Sequence, residues 1–502
     1  MNKEIKESRR TLTYPLIAAV GLGGLHQYLF FGHLPGIAVP LFWLLLYAYV
    51  WKFGREVMRP LEMPGVLLAG AGFLLSLSYA LFDNPVFFTL NLIALPTLIA
   101  WQLTYMLSDR KRDWYDPMLI FDGIGHVLKQ TILHIPDVFL IFRLQKKSGQ
   151  LSQSPDKNSA GKQVLSGLLI ALPILTVVLM LLFSADGVLR NLAGEIPLFF
   201  TNLTLGTLPI RLIWTVIIGV FLFTYLTGFL SPRRKPLVQG PAMPSIEEPF
   251  AKFQPLVTIT LMITINLVYL LFVAFQFSYL FGAWKGVLPQ SSSYAEYAQS
   301  GFGELIGVTF INFALLLVGM YATNSGEGKM PKVLNGLLYL LVFCSVAMLG
   351  SAFARLLMYE EAYGYTRLRF LVHAFMIFLF LLLMLFALCI KFRKLPLGRW
   401  SVALAVCAYV ALNYSLMDRV IAQLNLQREA ESADWTYLMG LSADAAPVLI
   451  KESLSGNAEI QHWINKPTLQ RRDGEEAWQS WNLSRAYADY LLRKNADPAD
   501  LP

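Results

Sequence analysis

The chain has 502 residues, of which 56% are hydrophobic and 15% are charged, and its mean hydropathy is +0.51. Soluble domains carry about 25% charged residues, so this composition excludes a water-soluble protein. The net charge of +8 would suit a nucleic-acid-binding protein, but the excess Lys and Arg lie in short loops beside apolar segments, where they orient helices in a membrane. We therefore expect membrane lipids, and no nucleic acid, as partners.

Eleven apolar segments follow one another between residues 13 and 422. A helix needs about 20 apolar residues to cross the hydrocarbon core of a bilayer, and each segment is close to that length. The predicted spans are 13–31, 34–52, 65–82, 85–107, 164–184, 208–230, 254–281, 303–322, 333–356, 368–390 and 400–422. The fold class that we predict is an all-α polytopic transmembrane helix bundle.

The loops between these segments are alternately rich and poor in Lys and Arg. Counted from the N-terminus, the loops of one side carry 26 of these residues and those of the other side carry four before the tail. Basic loops stay in the cytoplasm, so the N-terminus is predicted inside and the C-terminus outside. If one span had been missed or added, the basic loops would fall on the wrong side of the membrane from that point onward. The alternation holds up to the last predicted span, which favours an odd number of spans.

We predict four regions along the chain. Residues 1–107 form a four-span region, and residues 108–163 form a cytoplasmic segment. That segment begins with an amphipathic stretch, which we expect to lie at the membrane interface, and continues as a polar linker. Residues 164–422 form a seven-span region. Residues 423–502 form a small helical tail outside, with a net charge of −4 from 12 acids and 8 bases.

The densest polar cluster near the membrane joins predicted spans nine and ten. An isolated charge inside a span is costly, so we expect Arg355 to find a partner in Glu360 or Glu361. As a functional site, this stretch could hold an anionic headgroup through Arg367 and Arg369 or take part in proton-linked gating. As a structural element, it would be a salt-bridged corner that fixes two helices. The candidate residues are Arg355, Tyr359, Glu360, Glu361, Tyr363, Gly364, Thr366, Arg367 and Arg369.

Two stretches in the last third of the chain resemble one family. The sequence from Tyr359 to Arg369 follows the pattern Tyr-x-x-Ala-Tyr-Gly-x-Thr-x-x-Arg, and residues 441–447 read Leu-Ser-Ala-Asp-Ala-Ala-Pro. These motifs resemble a family of uncharacterised bacterial multi-pass membrane proteins that is known only as a domain of unknown function. The resemblance implies a protein of the bacterial cytoplasmic membrane and no particular activity.

Other polar residues support weaker hypotheses. Asp418 and Arg419 end the last predicted span, where we expect an interfacial pair or, as the alternative, a docking point for the tail. The six histidines are scattered, and no pair has the close spacing of metal ligands, so we predict no metal. There is no phosphate-binding glycine loop, and we expect no cofactor.

Three classes of function remain open. The first is a non-enzymatic sensing or scaffolding component that uses 108–163 and 423–502 to bind a protein partner. The second is a transporter or lipid-handling protein with its polar site at residues 355–369. The third is an enzyme acting on a lipid-linked substrate, which is the weakest because no nucleophile–base pair accompanies the two acids.

Overall fold

The computed structural model describes residues 2–60, 62–108, 112–138, 208–232, 253–284, 302–323, 329–428, 434–454 and 477–495. These residues form helices joined by turns. The helices before the second long gap are α1 (Asn2–Phe30), α2 (Ala38–Gly54), α3 (Met63–Leu81), α4 (Pro85–Leu107), α5 (Met118–Gly125) and α6 (Leu208–Leu230). Those after it are α7 (Pro255–Trp284), α8 (Phe302–Tyr321), α9 (Met330–Tyr363), α10 (Arg367–Lys391), α11 (Leu397–Asn413), α12 (Met417–Leu426), α13 (Trp435–Met439), α14 (Ala446–Leu454) and α15 (Leu483–Asn495).

The predicted all-α fold class is confirmed for the part of the chain that the structure describes. Six described helices are long and apolar enough to cross a membrane, or seven if α11 and α12 form one bent span, and α2 and part of α8 are shorter apolar helices. The predicted span 164–184 lies outside the described residues. The number of eleven spans and the orientation therefore stay predictions.

Two differences between the structure and the sequence prediction lie in the last third of the chain. The predicted span 400–422 is divided into α11 and α12, which are bent by 60° around Leu416, a residue with a left-handed backbone (φ 52°). Helix α9 continues to Tyr363, beyond the predicted end at residue 356. Hydropathy falls in this last part, but Glu and Tyr are acceptable helix formers, so the helix continues after its apolar stretch ends.

Two apolar cores hold the described helices together. One is formed by side chains of α1, α2, α4, α5 and α6, and Phe223 on α6 is fully buried within it. The second is formed by α7, α8, α9 and α10, around Leu338 and Leu341 on α9. A smaller cluster joins α3, α4 and α11, and α11 also contributes Leu397 to the second core. Helix α11 therefore connects the first half of the chain to the second.

Candidate functional site

The corner, as we call residues 355–369, is formed by the end of α9, a glycine turn and the start of α10. The turn needs Gly364, because its φ of +81° is unfavourable for other L-residues. The N–H of Gly364 donates to the carbonyl oxygen of Glu360 at 2.8 Å and ends α9. Thr366 then caps α10, since its hydroxyl oxygen accepts from the N–H of Arg369 at 3.4 Å.

Arg367 and Asp418 form a two-pronged ion pair across the corner. The Nε and Nη2 of Arg367 donate to the two carboxylate oxygens of Asp418 at 2.8 and 2.6 Å. The carboxylate also accepts from the Nδ2 of Asn84 at 3.0 Å and from the N–H of Ser442 at 2.9 Å. Asp418 is fully buried, so these four donors replace the water that its charge has lost. We call these four residues the clasp, because they join α4, α10, α12 and the tail.

The contacts in and around the clasp show which partners several candidate residues have. Asp418 pairs with Arg367, while its neighbour Arg419 is exposed. Arg369 donates to the carbonyl oxygen of Gly364 and lies over the ring of Tyr359, with its guanidinium carbon 4.0 Å from the ring centroid. Both arginines that could have held an anionic headgroup therefore have partners within the protein. The geometry favours the structural alternative for the corner.

Two residues that sequence analysis did not select, Asn425 and Arg428, fasten the corner from α12 and the residues after it. The carboxamide of Asn425 accepts from the N–H of Tyr365 at 2.8 Å and donates to its carbonyl oxygen at 2.9 Å. Arg428 donates to the carbonyl oxygens of Glu361 and Ala362 at 2.7 and 3.1 Å. Asn425 lies seven residues after Asp418, which places both residues on the same face of a helix. This spacing is the sequence feature from which the role of Asn425 could have been predicted.

The tail continues the polar contacts beside the clasp. Asp444 is buried, and its carboxylate accepts from the N–H of Asp83 at 3.0 Å. Burial raises the pKa of Asp444, and the nearby charges of Asp83 and Asp418 act in the same direction. Asn482 donates to the carbonyl oxygens of Tyr79 and Phe82, at 2.9 and 2.8 Å, and so satisfies the end of α3.

A second polar pair lies on the inward side of the corner. The Nε2 of His373 on α10 is 2.7 Å from the Oε2 of Glu360 on α9, and Glu360 is fully buried. The other oxygen of Glu360 and the Nδ1 of His373 are buried without a hydrogen-bond partner in the part of the chain that the structure describes. Of the remaining candidates, Arg355 is half-buried on α9, and Glu361 and Tyr363 are exposed.

The chemistry of the site follows from these contacts. Within the described ranges, no group of three or more His, Cys, Asp or Glu residues could hold a metal ion. In the clasp, the positive charge of Arg367 and the negative charge of Asp418 are paired and hydrogen-bonded to each other. This arrangement is suited to holding the helices and the tail in place. The Glu360–His373 pair joins α9 and α10 through a contact between an acidic and a basic side chain.

Comparison with known proteins adds one relationship. A family model described as "Domain of unknown function (DUF4153)" matches residues 69–452, which is more than half of the chain. The matched range includes the whole corner, α12 and the first part of the tail. No curated protein and no solved structure matches the chain.

Proposed function

The chain belongs to the family described as "Domain of unknown function (DUF4153)", and we propose that it is a non-enzymatic sensing or scaffolding component of a membrane. In this role, the tail binds a protein partner, and the clasp transmits the state of the tail to the helices. The proposal includes a place in the bacterial cytoplasmic membrane, with the N-terminus inside and the C-terminus outside, as the alternation of basic loops favours.

One observation carries this proposal: the tail is bonded to the bundle through a buried charge pair. Ser442 of the tail donates to the same carboxylate of Asp418 that Arg367 of α10 holds. A displaced tail would therefore leave a buried carboxylate short of donors, which costs about 1–3 kcal/mol per lost hydrogen bond. Through this connection, a displacement of the tail would change the positions of α10 and α12.

The test is native mass spectrometry of the tagged protein extracted gently from its own membrane. We expect a stoichiometric protein partner with the wild type, which is lost when the exposed tail residues Tyr487 and Tyr490 are changed to Ala. The matched control is Arg419→Ala, an exposed change outside α15. If the wild type carries no protein partner, or if the tail variant keeps its partner, the sensing and scaffolding role is wrong.

A proton-coupled transporter is the second candidate, and the Glu360–His373 pair favours it. Ionisable residues inside membrane helices are expensive, and they commonly mark ion or proton pathways. Here Glu360 is fully buried and His373 is partly buried, and each side chain has one polar atom without a hydrogen bond among the described residues. A pair of this kind can accept a proton from one side and release it to the other.

Proteoliposomes with an internal pH dye would separate the two candidates. Transport coupled to protons predicts a pH change inside wild-type vesicles and none with Glu360→Gln, at equal protein content. Glu361→Gln is the matched control, because Glu361 is the exposed neighbour. A Glu360→Gln variant that only lowers the amount of protein would show that the pair is structural.

A further inference from the structure

A cavity lies at the end of the bundle opposite the clasp. Helix α4 starts beside the clasp at Asn84, so its last residues, Thr104 to Ser108, lie at the other end. There Thr104, Leu107 and Ser108 line a cavity of about 270 Å³ together with the end of α6 and the segment that follows α4. Sequence analysis selected none of the residues that line it.

The segment that closes the cavity consists of α5, a π-helical turn at His126–Gln130 and a helical stretch over 131–138. Its two histidines face the protein and are buried. The Nε2 of His126 is 2.9 Å from the carbonyl oxygen of Tyr225, and the Nε2 of His134 is 2.9 Å from that of Ser231, both at the end of α6. The histidines therefore attach this segment to backbone carbonyl groups in and just after the last turns of α6.

The apolar side of the segment faces away from the protein. Its residues follow helical spacing and are all exposed, and we call them the stripe: Phe121, Ile124, Leu128, Ile132 and Ile135. An exposed apolar stripe beside membrane helices lies where lipid chains surround the protein. Because Phe121 belongs to the stripe and also lines the cavity, the cavity borders the lipid side of the protein.

The walls of the cavity are apolar on one side and polar on the other. Leu107, Phe121 and Phe229 supply the apolar part, while Lys129 brings a positive charge. The carboxylate of Asp122 is 2.7 Å from the Nε of Arg112, a guanidinium that also pairs with Asp116 at 2.9 Å, so Asp122 has a cationic partner. Burial lowers the pKa of His126 to about 4, and this histidine adds no charge at neutral pH. Lys129 is therefore the cation that the lining of the cavity offers to a ligand.

We propose that this cavity binds the phosphate headgroup of one glycerophospholipid from the adjacent leaflet. The phosphate would lie near the ammonium group of Lys129, and an acyl chain would lie along the stripe. A phosphate diester is the anion that bilayer lipids present at this depth, and a Lys ammonium group is a common partner for it. A soluble phosphate ester would satisfy the same charge, but it would make no use of the apolar wall or of the stripe.

Gly125 offers a direct way to fill the cavity. It lines the cavity within a helical segment, and a Cβ atom added there meets nothing within 4 Å. The Cβ atom of Gly125→Leu therefore displaces no packed atoms, and the rest of the leucine side chain adds volume at the wall of the cavity. Gly70→Leu is the matched control, because Gly70 is an exposed helical glycine on α3 that also has open space around it. Lys129→Gln, with Lys52→Gln as its control, tests the charge alone; both lysines are exposed.

The experiment is native mass spectrometry of the delipidated full chain titrated with phosphatidylethanolamine, diacylglycerol or soluble glycerophosphoethanolamine. We expect the phospholipid to bind more tightly than either other probe. Gly125→Leu should weaken it by about tenfold, and Lys129→Gln by about fivefold, which corresponds to roughly 1 kcal/mol. Both controls should bind as the wild type does.

Three results would overturn the proposal. Equal binding of diacylglycerol would show that the phosphate is not recognised. Equal binding of the soluble ester would make this a site for a free phosphate compound. Unchanged phospholipid affinity in both Gly125→Leu and Lys129→Gln would place the bound lipid elsewhere on the protein.

Discussion

Arg367 and Asp418 are 51 positions apart in the sequence, yet the guanidinium of one holds both carboxylate oxygens of the other at 2.8 and 2.6 Å. The Asp418 side chain is fully buried, and the Arg367 side chain is about three-quarters buried, with 25% of its surface exposed. The pair lies where α10, α12, the start of α4 and the tail meet, so the stability of this junction depends on it.

Loss of Arg367 should destabilise the protein strongly. Arg367→Ala leaves a buried carboxylate without its cationic partner, which costs about 3–5 kcal/mol. Thermal unfolding in detergent measures the change. Arg419→Ala is the control, and we expect it to stay within about 0.5 kcal/mol of the wild type because Arg419 is exposed. Equal stability of the two variants would contradict the importance of the clasp.

Gly364→Ala should cost more than the same change at Gly32. Both glycines have a positive φ, +81° and +79°, so an Ala at either position carries backbone strain of about 1–2 kcal/mol. Only at Gly364 would the added Cβ lie 2.7 Å from the Oδ1 of Asn425 and from the Nη1 of Arg428, whereas Gly32 has open space. The difference between the two unfolding free energies measures this contact, and two equal values would show that α12 can move aside.

Asn482 should hold the end of the tail on α3. Asn482→Asp replaces the amide group that donates to the carbonyl oxygens of Tyr79 and Phe82 with an acceptor. We expect a loss of about 1–3 kcal/mol for each buried carbonyl left without its donor. Limited proteolysis should then cut the tail faster than in the wild type. Lys494→Ala, an exposed change on α15, the helix that follows Asn482, should leave the cleavage rate unchanged.

Asp444 should make docking of the tail depend on pH. Its pKa is raised in the folded protein, so it contributes stability while protonated. That contribution is complete below the ordinary pKa range of Asp and is lost as the pH rises through the raised value. Asp444→Asn keeps an oxygen for the N–H of Asp83 and cannot ionise, so it should flatten this part of the stability profile. Unfolding temperatures across the acid range, with Asp489→Asn as control, measure the difference.

The orientation of the chain can be tested with reporter fusions at the C-terminus. An odd number of spans with the N-terminus inside predicts an active alkaline phosphatase fusion and a dark fusion of green fluorescent protein. The reason is that the phosphatase folds outside the cytoplasm, and the fluorescent protein folds within it. The reverse pattern would mean an even number of spans.

The helices of this protein could be predicted because a bilayer imposes one requirement on each of them, a continuous apolar length. Predicted spans 208–230 and 368–390 nearly coincide with α6 and α10. The bend at Leu416 could not be predicted, since no Pro or Gly marks it. It depends on contacts of α12 with the tail and with α10, which a local pattern does not contain.

The corner could be predicted as a polar junction, but its pairing could not. Charge density identified Arg367 and Asp418 separately, and the neighbouring position of Arg419 suggested the wrong partner for Asp418. Similarly, Glu360 contacts His373 on the next helix. The partner of a buried charge is fixed by helix packing, and without related sequences, spacing along one chain does not reveal it.

The clasp also has a consequence for biosynthesis. Asn84 and Asp418, which are hydrogen-bonded, lie 334 residues apart in the sequence. At a synthesis rate of about 5–20 residues per second, Asp418 is synthesised roughly 20–70 s after Asn84. During that time, the first four helices reside in the membrane with the loop before α4 open to other contacts. Assembly of this end of the protein is therefore a late step, and a ribosome that stalls before residue 418 leaves a chain that cannot complete it.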